Sequence, residues 1–441
     1  MKKFIALFLA LMMLLSLVAC SGSESTTTTT EASTTEASAP ASETEAASTE
    51  SAPSSDVTLV YWSMWEATEP QGEAIQQAIE AFTAKTGIKV DAQFKGRQGI
   101  RQGLQPALDA GTNIDIFDEG VDRVNQNWGS YILDLEEYVA ASNYEQTAVP
   151  AFMAASREAG GGTLKTIPYQ GSVFAWFYNP DIFAEAGIEA VPTTWEEFLD
   201  CCEKIKAAGY SAVTSDDAYF LSNFGYHVAR YGGAEAVSDA IWNGNWENNE
   251  AVVKTAKDFE YMAQQGYFSP NIVSNVWPNG QNVEFALGDV AMYFNGSWLP
   301  NEIRSLAGDD YVWGCFSYPA VDGGVNDTSY VNTSFQCFAI NNKSQYPDEA
   351  FQLIEWLTKG EWDLKLSQMS LGVPADTTNT EWPAQMANVK PVLEGTANRY
   401  TWAVGAEDNV DITPVLLENL LNLAGGAITA DQFIANMQAA S

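Results

Sequence analysis

Strand-forming and helix-forming runs alternate from residue 58 to residue 117, and this alternation limits the possible folds more than any other feature of the chain. Thr58-Leu59-Val60-Tyr61-Trp62 is dense in β-formers, as a largely buried strand requires. Pro70 then opens a helix with Ile75, Ala78, Ile79 and Phe82 on one face, and Gly87 stops it. Ile88 to Phe94 reads as a second strand, Gln98 to Ala110 as a second helix and Ile114 to Phe117 as a third strand. A β-α-β-α-β order predicts an α/β fold, with a parallel sheet and helices on its faces.

The pattern resumes after residue 165. Val173 to Tyr178 reads as a strand. Thr194 with Glu197 forms a capping box for a helix that Gly209 ends, with Trp195, Phe198, Leu199, Cys202 and Ile205 on its buried stripe. Val283 to Leu287 is helical, Gly288 closes that helix, and Val290 to Phe294 is a strand. A helix from Tyr346 to Thr358 and two more around 413–423 and 429–440 complete the reading, and no internal repeat is found. The Asn-Gly pairs at 279–280 and 295–296 and the run Gly160-Gly161-Gly162 read as turns.

Composition narrows the function. The chain has 441 residues, enough for two or three domains at roughly 150 each. It carries 57 acids and 21 bases, a net charge of -36, which excludes the basic footprint of a nucleic-acid binder. The one histidine, His227, rules out a multi-histidine metal site, and a structural or surface role is expected for it. Gly160-Gly161-Gly162 lacks the lysine and spacing of a phosphate loop, so no cofactor is expected. Cys201 and Cys202 are read as free thiols; Cys315 and Cys337 pair only if their strands adjoin.

Lys2 and Lys3 precede an apolar run from Phe4 to Ala19, shorter than the about 20 residues of a comfortable membrane span. The run ends Leu17-Val18-Ala19-Cys20 and resembles the bacterial lipobox. That resemblance implies a signal peptide over 1–19 and lipid modification of Cys20; the alternative is an ordinary secretory signal with a chance cysteine. Residues 21 to 55 are almost entirely Ser, Thr, Glu, Ala and Pro, with no aromatic and no branched aliphatic residue. Such a segment cannot offset its ordering entropy and reads as a disordered tether; all 14 tryptophans follow it. A lipid is then the only anchor expected, at the extracellular face of the cytoplasmic membrane of a Gram-positive cell, with a Gram-negative lipoprotein as the alternative.

Several stretches carry a family resemblance. They are Leu59-Val60-Tyr61-Trp62 through Lys85-Thr86-Gly87-Ile88-Lys89-Val90, Asp115-Ile116-Phe117-Asp118 with Asp122-Arg123, and Ile167-Pro168-Tyr169 with Phe177-Tyr178-Asn179 and Phe183 to Ile188. Ala291 to Trp298 and Gly372-Val373-Pro374 support them. In this order, behind a lipobox, they resemble the family 1 extracellular solute-binding proteins, the carbohydrate-binding class that includes maltose-binding protein. The resemblance implies a two-lobed periplasmic-binding-protein-like fold of type II with the ligand in the cleft between lobes. It places one lobe at 56–170 plus 318–372 and the other at 171–317 plus 373–441, with hinges near Tyr169, Tyr318 and Gly372.

A sugar needs aromatic planes for its C–H faces and carboxylate, amide or guanidinium groups for its hydroxyls. Trp65 and Glu66 follow the first strand, although Trp65 packing under the next helix is an equal alternative. Asp118 follows the third strand. Asp122-Arg123 matches a sugar-contacting pair in the family, or is a surface ion pair. Tyr169 and Gln170 sit at the first lobe crossing. Asp217 and Tyr219 resemble an acid-aromatic segment of the second lobe, and Trp298 and Trp402 fall where the family places stacking aromatics. No aromatic stands between Phe117 and Asp122, a departure from the maltose-type pattern.

The expected function is capture of an oligosaccharide by a monomeric lipoprotein that presents it to an ABC importer whose permease and ATPase are other chains. Binding proceeds by lobe closure without catalysis. A secreted glycoside hydrolase with paired carboxylates is the competing reading, and a sheath or adhesin a third.

Overall fold

The computed structural model describes residues 55–441; the signal peptide, Cys20 and nearly all of the tether expected from the sequence lie outside the described residues. Among the described residues nine strands form one connected set: β1 Thr58–Ser63, β2 Lys89–Phe94, β3 Ile116–Gly120, β4 Ile167–Tyr178, β5 Ser211–Thr214, β6 Val290–Gly296, β7 Gly314–Phe316, β8 Tyr330–Ile340 and β9 Asn398–Tyr400. The order is β2-β1-β3-β8-β4-β6-β5, with β7 beside β4 and β9 beside β8. β1 pairs in parallel with β2 and β3, and β5 with β6, as the β-α-β reading requires.

β4 decides the architecture. Its first residues, Ile167 to Tyr169, pair with β8 next to β3, whereas Phe174 to Tyr178 pair with β6. One strand thus leaves the sheet built on β1–β3 and enters the sheet built on β5–β7. The change of sheet follows an irregularity between Tyr169 and Gly171, where Gln170 takes φ 44°. Gly171 also pairs with Val373, which brings the Gly372 segment to the same point. A β-carbon on Gly171 would lie 1.9 Å from the Phe152 ring, so only glycine fits there.

Local signals fix many element ends. Helix Pro70–Thr86 ends on Gly87 at φ 78°, and helix Trp195–Ala207 carries the capping box of Thr194 and Glu197. Helix Ala430–Ala440 has a second box from Thr429 and Gln432. No described helix is long and apolar enough to cross a membrane.

Two expectations are corrected. The third strand runs on to Gly120, because β8 pairs with it antiparallel as far as Gly120 and Gln336; Asp118 and Glu119 therefore lie within the strand. Asn295-Gly296 is not a turn but the end of β6, paired with Ala175 and Phe174. Cys315 and Cys337 lie opposite Phe177 and Pro168, about 30 Å apart along β4 at strand rise, and both are free. Cys201 and Cys202 are free thiols. His227 lies buried in helix Phe220–Asn243, with Nδ1 3.1 Å from the Tyr318 hydroxyl and Nε2 2.8 Å from Asp258, a structural setting.

Candidate functional site: an aromatic cluster flanked by acids

The end of β6 supplies the centre of the site. Trp298 follows Gly296, and a β-carbon on Gly296 would come within 2.3 Å of Trp298 Cη2, so the indole lies directly on that glycine. Trp298 and Trp402 are nearly parallel, 15° between planes and 6.2 Å between centroids. Both stand edge-on to Phe174 of β4, at 5.2 and 5.3 Å. Tyr219 completes the cluster and accepts a hydrogen bond from Trp298 Nε1 at 3.2 Å. Tyr219 is buried, while both tryptophans are half-buried.

Backbone strain accompanies Trp402. Ala403 and Val404 hold φ 45° and 54°, conformations that residues other than glycine adopt at a cost of order 1–3 kcal/mol each. The segment presses on helix Phe220–Asn243 at Gly225, where a β-carbon would meet the Ala403 carbonyl oxygen at 2.0 Å.

Acids flank the rings. Glu302 receives Trp277 Nε1 and Asn282 Nδ2 at 3.4 Å each, and burial raises its pKa. Glu407 is likewise raised by burial, and its Oε1 is buried without a partner. Asp217 is half-buried and accepts the Trp277 amide at 2.8 Å. Its neighbour Asp216 is fully buried beneath, held by the amides of Ala218 and Tyr219 at 2.6 and 2.8 Å and by the Tyr293 hydroxyl. Desolvation pushes Asp216 up to about 6.

Asp118 mirrors Asp216 on the other side. Tyr61 and the Met64 amide donate to its Oδ1 at 3.0 Å each, and Tyr169 donates to Oδ2. It has no exposed surface, and burial pushes its pKa up to about 6. Trp65 Nε1 in turn donates to the Tyr169 hydroxyl at 2.7 Å. Trp65 is 4% exposed and carries the Arg97 guanidinium on its face at 4.7 Å. Tyr169 is fully buried and stacks on Phe338 at 4.3 Å.

The sequence-expected residues therefore divide. Trp298, Trp402 and Tyr219 come together, with Asp217 beside them. Trp65, Asp118 and Tyr169 form a separate buried chain that holds the β1 loop to the crossing strand, so Asp118 and Tyr169 offer no free surface to a solute in this conformation. Glu66 is exposed at the end of that loop, and its carboxylate fills the space over Gly96, within 2.0 Å of where a β-carbon would stand. Gln170 occupies the β4 irregularity with its Oε1 buried and unpartnered. Asp122 and Arg123 do not form a pair: Asp122 binds Arg399 at 2.9 Å, and Arg123 reaches Glu119 at 3.4 Å. Asp122 lies in the first turn of helix Val121–Trp128, so its neighbour's side chain leaves on a different face.

Residues 66–362 match the family model of the bacterial extracellular solute-binding proteins. The chain belongs to that family. Among relatives of this solute-binding protein is a binding protein of Brucella abortus (strain 2308), 25% identical over 331 residues, which cover 72% of this chain and 76% of the relative. Another is the sn-glycerol-3-phosphate-binding periplasmic protein of Escherichia coli (strain K12), 26% identical over 60% of this chain and 61% of its own length. Among solved structures, a chitin oligosaccharide binding protein superposes with TM-score 0.65 at 19% identity, over 87% of this chain and 97% of the other. That likeness establishes the two-lobed α/β fold.

Sequence reasoning missed Glu302, Glu407, Arg399 and Trp277. Their positions depend on which segments the fold brings together, and no local pattern marks them.

Proposed function

We propose that this solute-binding protein captures a neutral oligosaccharide between its two lobes and presents it to an ABC importer, tethered through a lipid on Cys20 at the outer face of the cytoplasmic membrane. The Trp298–Trp402–Tyr219 cluster beside Glu302, Glu407 and Asp217 carries this reading: rings for C–H faces and carboxylates for hydroxyls. The lobes are 56–170 plus 318–372 and 171–317 plus 373–441, with β4 and β8 as crossing strands. Solved neighbours that bind chitin oligosaccharide, maltose and acarbose support a saccharide ligand.

Charge favours a neutral sugar over a phosphate ester such as the Escherichia coli relative's name specifies. Arg97 is paired with Glu69, Arg101 and Arg123 with Glu119, and Arg399 with Asp122. A phosphate would have to break one of these pairs while facing the raised carboxylates of Glu302 and Glu407, an arrangement that penalises anions.

A raised carboxyl in a cleft is also what a glycoside hydrolase uses as its acid. One experiment separates the readings. The protein is incubated with maltodextrins, xylo-oligosaccharides, chito-oligosaccharides and glycerol 3-phosphate. Tryptophan fluorescence reports binding and chromatography reports products. A fluorescence shift with an oligosaccharide returned intact is the expected result. Shortened products, or binding of glycerol 3-phosphate alone, would overturn it.

A further inference from the structure

Trp277 is 42% exposed, yet both its polar groups are fixed. Its amide donates to Asp217 Oδ1 at 2.8 Å and its indole Nε1 to Glu302 Oε2 at 3.4 Å. Glu302 lies one helical turn beyond Trp298, its amide bonded to the Trp298 carbonyl at 3.2 Å. Trp298 in turn reaches Tyr219. Two side-chain hydrogen bonds and the backbone bond of the helical turn between Trp298 and Glu302 therefore link Tyr219, Trp298, Glu302 and Trp277, and exposure rises along the three rings. Tyr219 is 7% exposed, Trp298 is half-buried, and Trp277 is open to solvent.

A large apolar ring left in water normally retains its rotamer freedom. Here Glu302 of the candidate site accepts from the ring's Nε1 and Asp217 accepts from the backbone amide that carries it, which removes part of the ordering cost that a ligand would otherwise meet. A ring held in this way, outward of a half-buried stacking pair, fits a ligand that extends beyond that pair. We propose that Trp277 is an outer stacking platform of the site, so that the ligand is a saccharide chain running from the Trp298–Trp402 pair out to solvent rather than one enclosed sugar. This rests on the saccharide reading above and adds chain length to it. Glu302, shared by the Trp298 helix and the Trp277 indole, is the positioning residue between the two platforms.

Val273 and Val276 are also exposed nearby, at 51% and 56%, so a protein-docking role for Trp277 is the outcome to test against. The full chain is titrated calorimetrically with xylo-, chito- and malto-oligosaccharides of two to six units, as wild type, Trp277→Ala, Trp277→Phe and Trp298→Ala. A stacking contact contributes about 0.5–1.5 kcal/mol, so about a ten-fold loss is the upper expectation. Trp277→Ala should bind the shortest ligand within twofold of wild type and the longer ones about ten-fold more weakly, with Trp277→Phe recovering most of that loss. Trp298→Ala should weaken every length. Unchanged affinity of Trp277→Ala at all lengths would overturn the proposal and favour docking; an equal loss at all lengths would make Trp277 a mere support of the inner site. Wild type binding no member of any series would remove the saccharide reading itself.

Discussion

Arg399 Nη2 stands 2.9 Å from both carboxylate oxygens of Asp122, joining segments 277 positions apart. Its Nε is fixed at 3.0 Å to the Thr333 carbonyl of β8, so the guanidinium is aimed before it meets the acid. Asp122 follows β3, whereas Arg399 lies in β9, three residues before Trp402. The pair is largely withdrawn from solvent, at 11% and 29% exposure. Removing Arg399 leaves Asp122 facing Asp408, whose pKa burial and then Asp122 already raise. Arg399→Met should lower stability by roughly 1–3 kcal/mol, between exposed and buried pairs. Asp122→Asn should cost less, and the double variant less than the sum. Urea denaturation of the four proteins checks this; strict additivity would mean the contact carries no coupling.

Gly296 supports Trp298 by lacking a side chain. Its β-carbon would overlap three ring atoms of the indole at 2.3–2.4 Å. Gly296→Ala should therefore displace Trp298 and weaken saccharide binding at least ten-fold, as truncating the ring would, while β6 still forms. Calorimetry on a bound oligosaccharide and the unfolding midpoint together check it. Wild-type affinity in Gly296→Ala would show that the ring adapts.

The beginning of the fold was legible because its signals are local. Pro70, Gly87 and the Thr194–Glu197 box act within one or two turns, and the apolar stripes fall at helical spacing. Trp298, Trp402 and Tyr219 were legible through family resemblance, yet their mutual geometry depends on Phe174, on a strand more than a hundred positions from Trp298. Asp118 was misplaced for a related reason. An acid near a strand end looks available to solute, but the two tyrosines that bury it come from positions 57 and 51 residues away. Asn295-Gly296 has turn chemistry, and the β4 ladder overrides it. Trp277 carries no local signal at all, since exposure of a tryptophan is a property of the assembled chain.

Asp118, Asp216 and Asp363 share one electrostatic condition. Burial pushes each up to about 6. The folded state then holds protons that the unfolded chain releases near its ordinary carboxylate value, so stability from these groups is present below that value and is lost as pH rises through about 6. Each contributes on the order of 1–3 kcal/mol over that window. Stability should therefore decrease between pH 5 and pH 7. Asp118→Asn, neutral at both values, should flatten the slope by about a third. Denaturation midpoints across the range, with and without the substitution, check this. A rise in stability over the same interval would contradict the burial of these three acids.

Arg230 joins the start of β8 to the aromatic site. It is fully buried, and every partner is an oxygen of an uncharged group: Nε to the Pro319 carbonyl at 3.2 Å, Nη1 to the Tyr400 hydroxyl at 3.2 Å, and Nη2 to the carbonyls of Tyr318 and Tyr330 at 2.9 and 3.1 Å. The rings of Tyr226, Tyr318 and Tyr400 lie at 5.6–5.8 Å from its guanidinium carbon. One cation thus fixes Tyr318-Pro319, the start of β8, and the strand that leads to Trp402. Arg230→Met fills similar volume but leaves buried carbonyls without donors, and should lower stability by about 3–5 kcal/mol. Arg230→Lys keeps the charge yet cannot span the planar fork of acceptors, so it should fall in between. Saccharide affinity should drop in both variants because Tyr400 positions the Trp402 segment. Urea denaturation with calorimetry on the surviving folded protein checks the pair of effects. An Arg230→Met protein within 1 kcal/mol of wild type would show that the neighbouring tyrosines hold these segments without the cation.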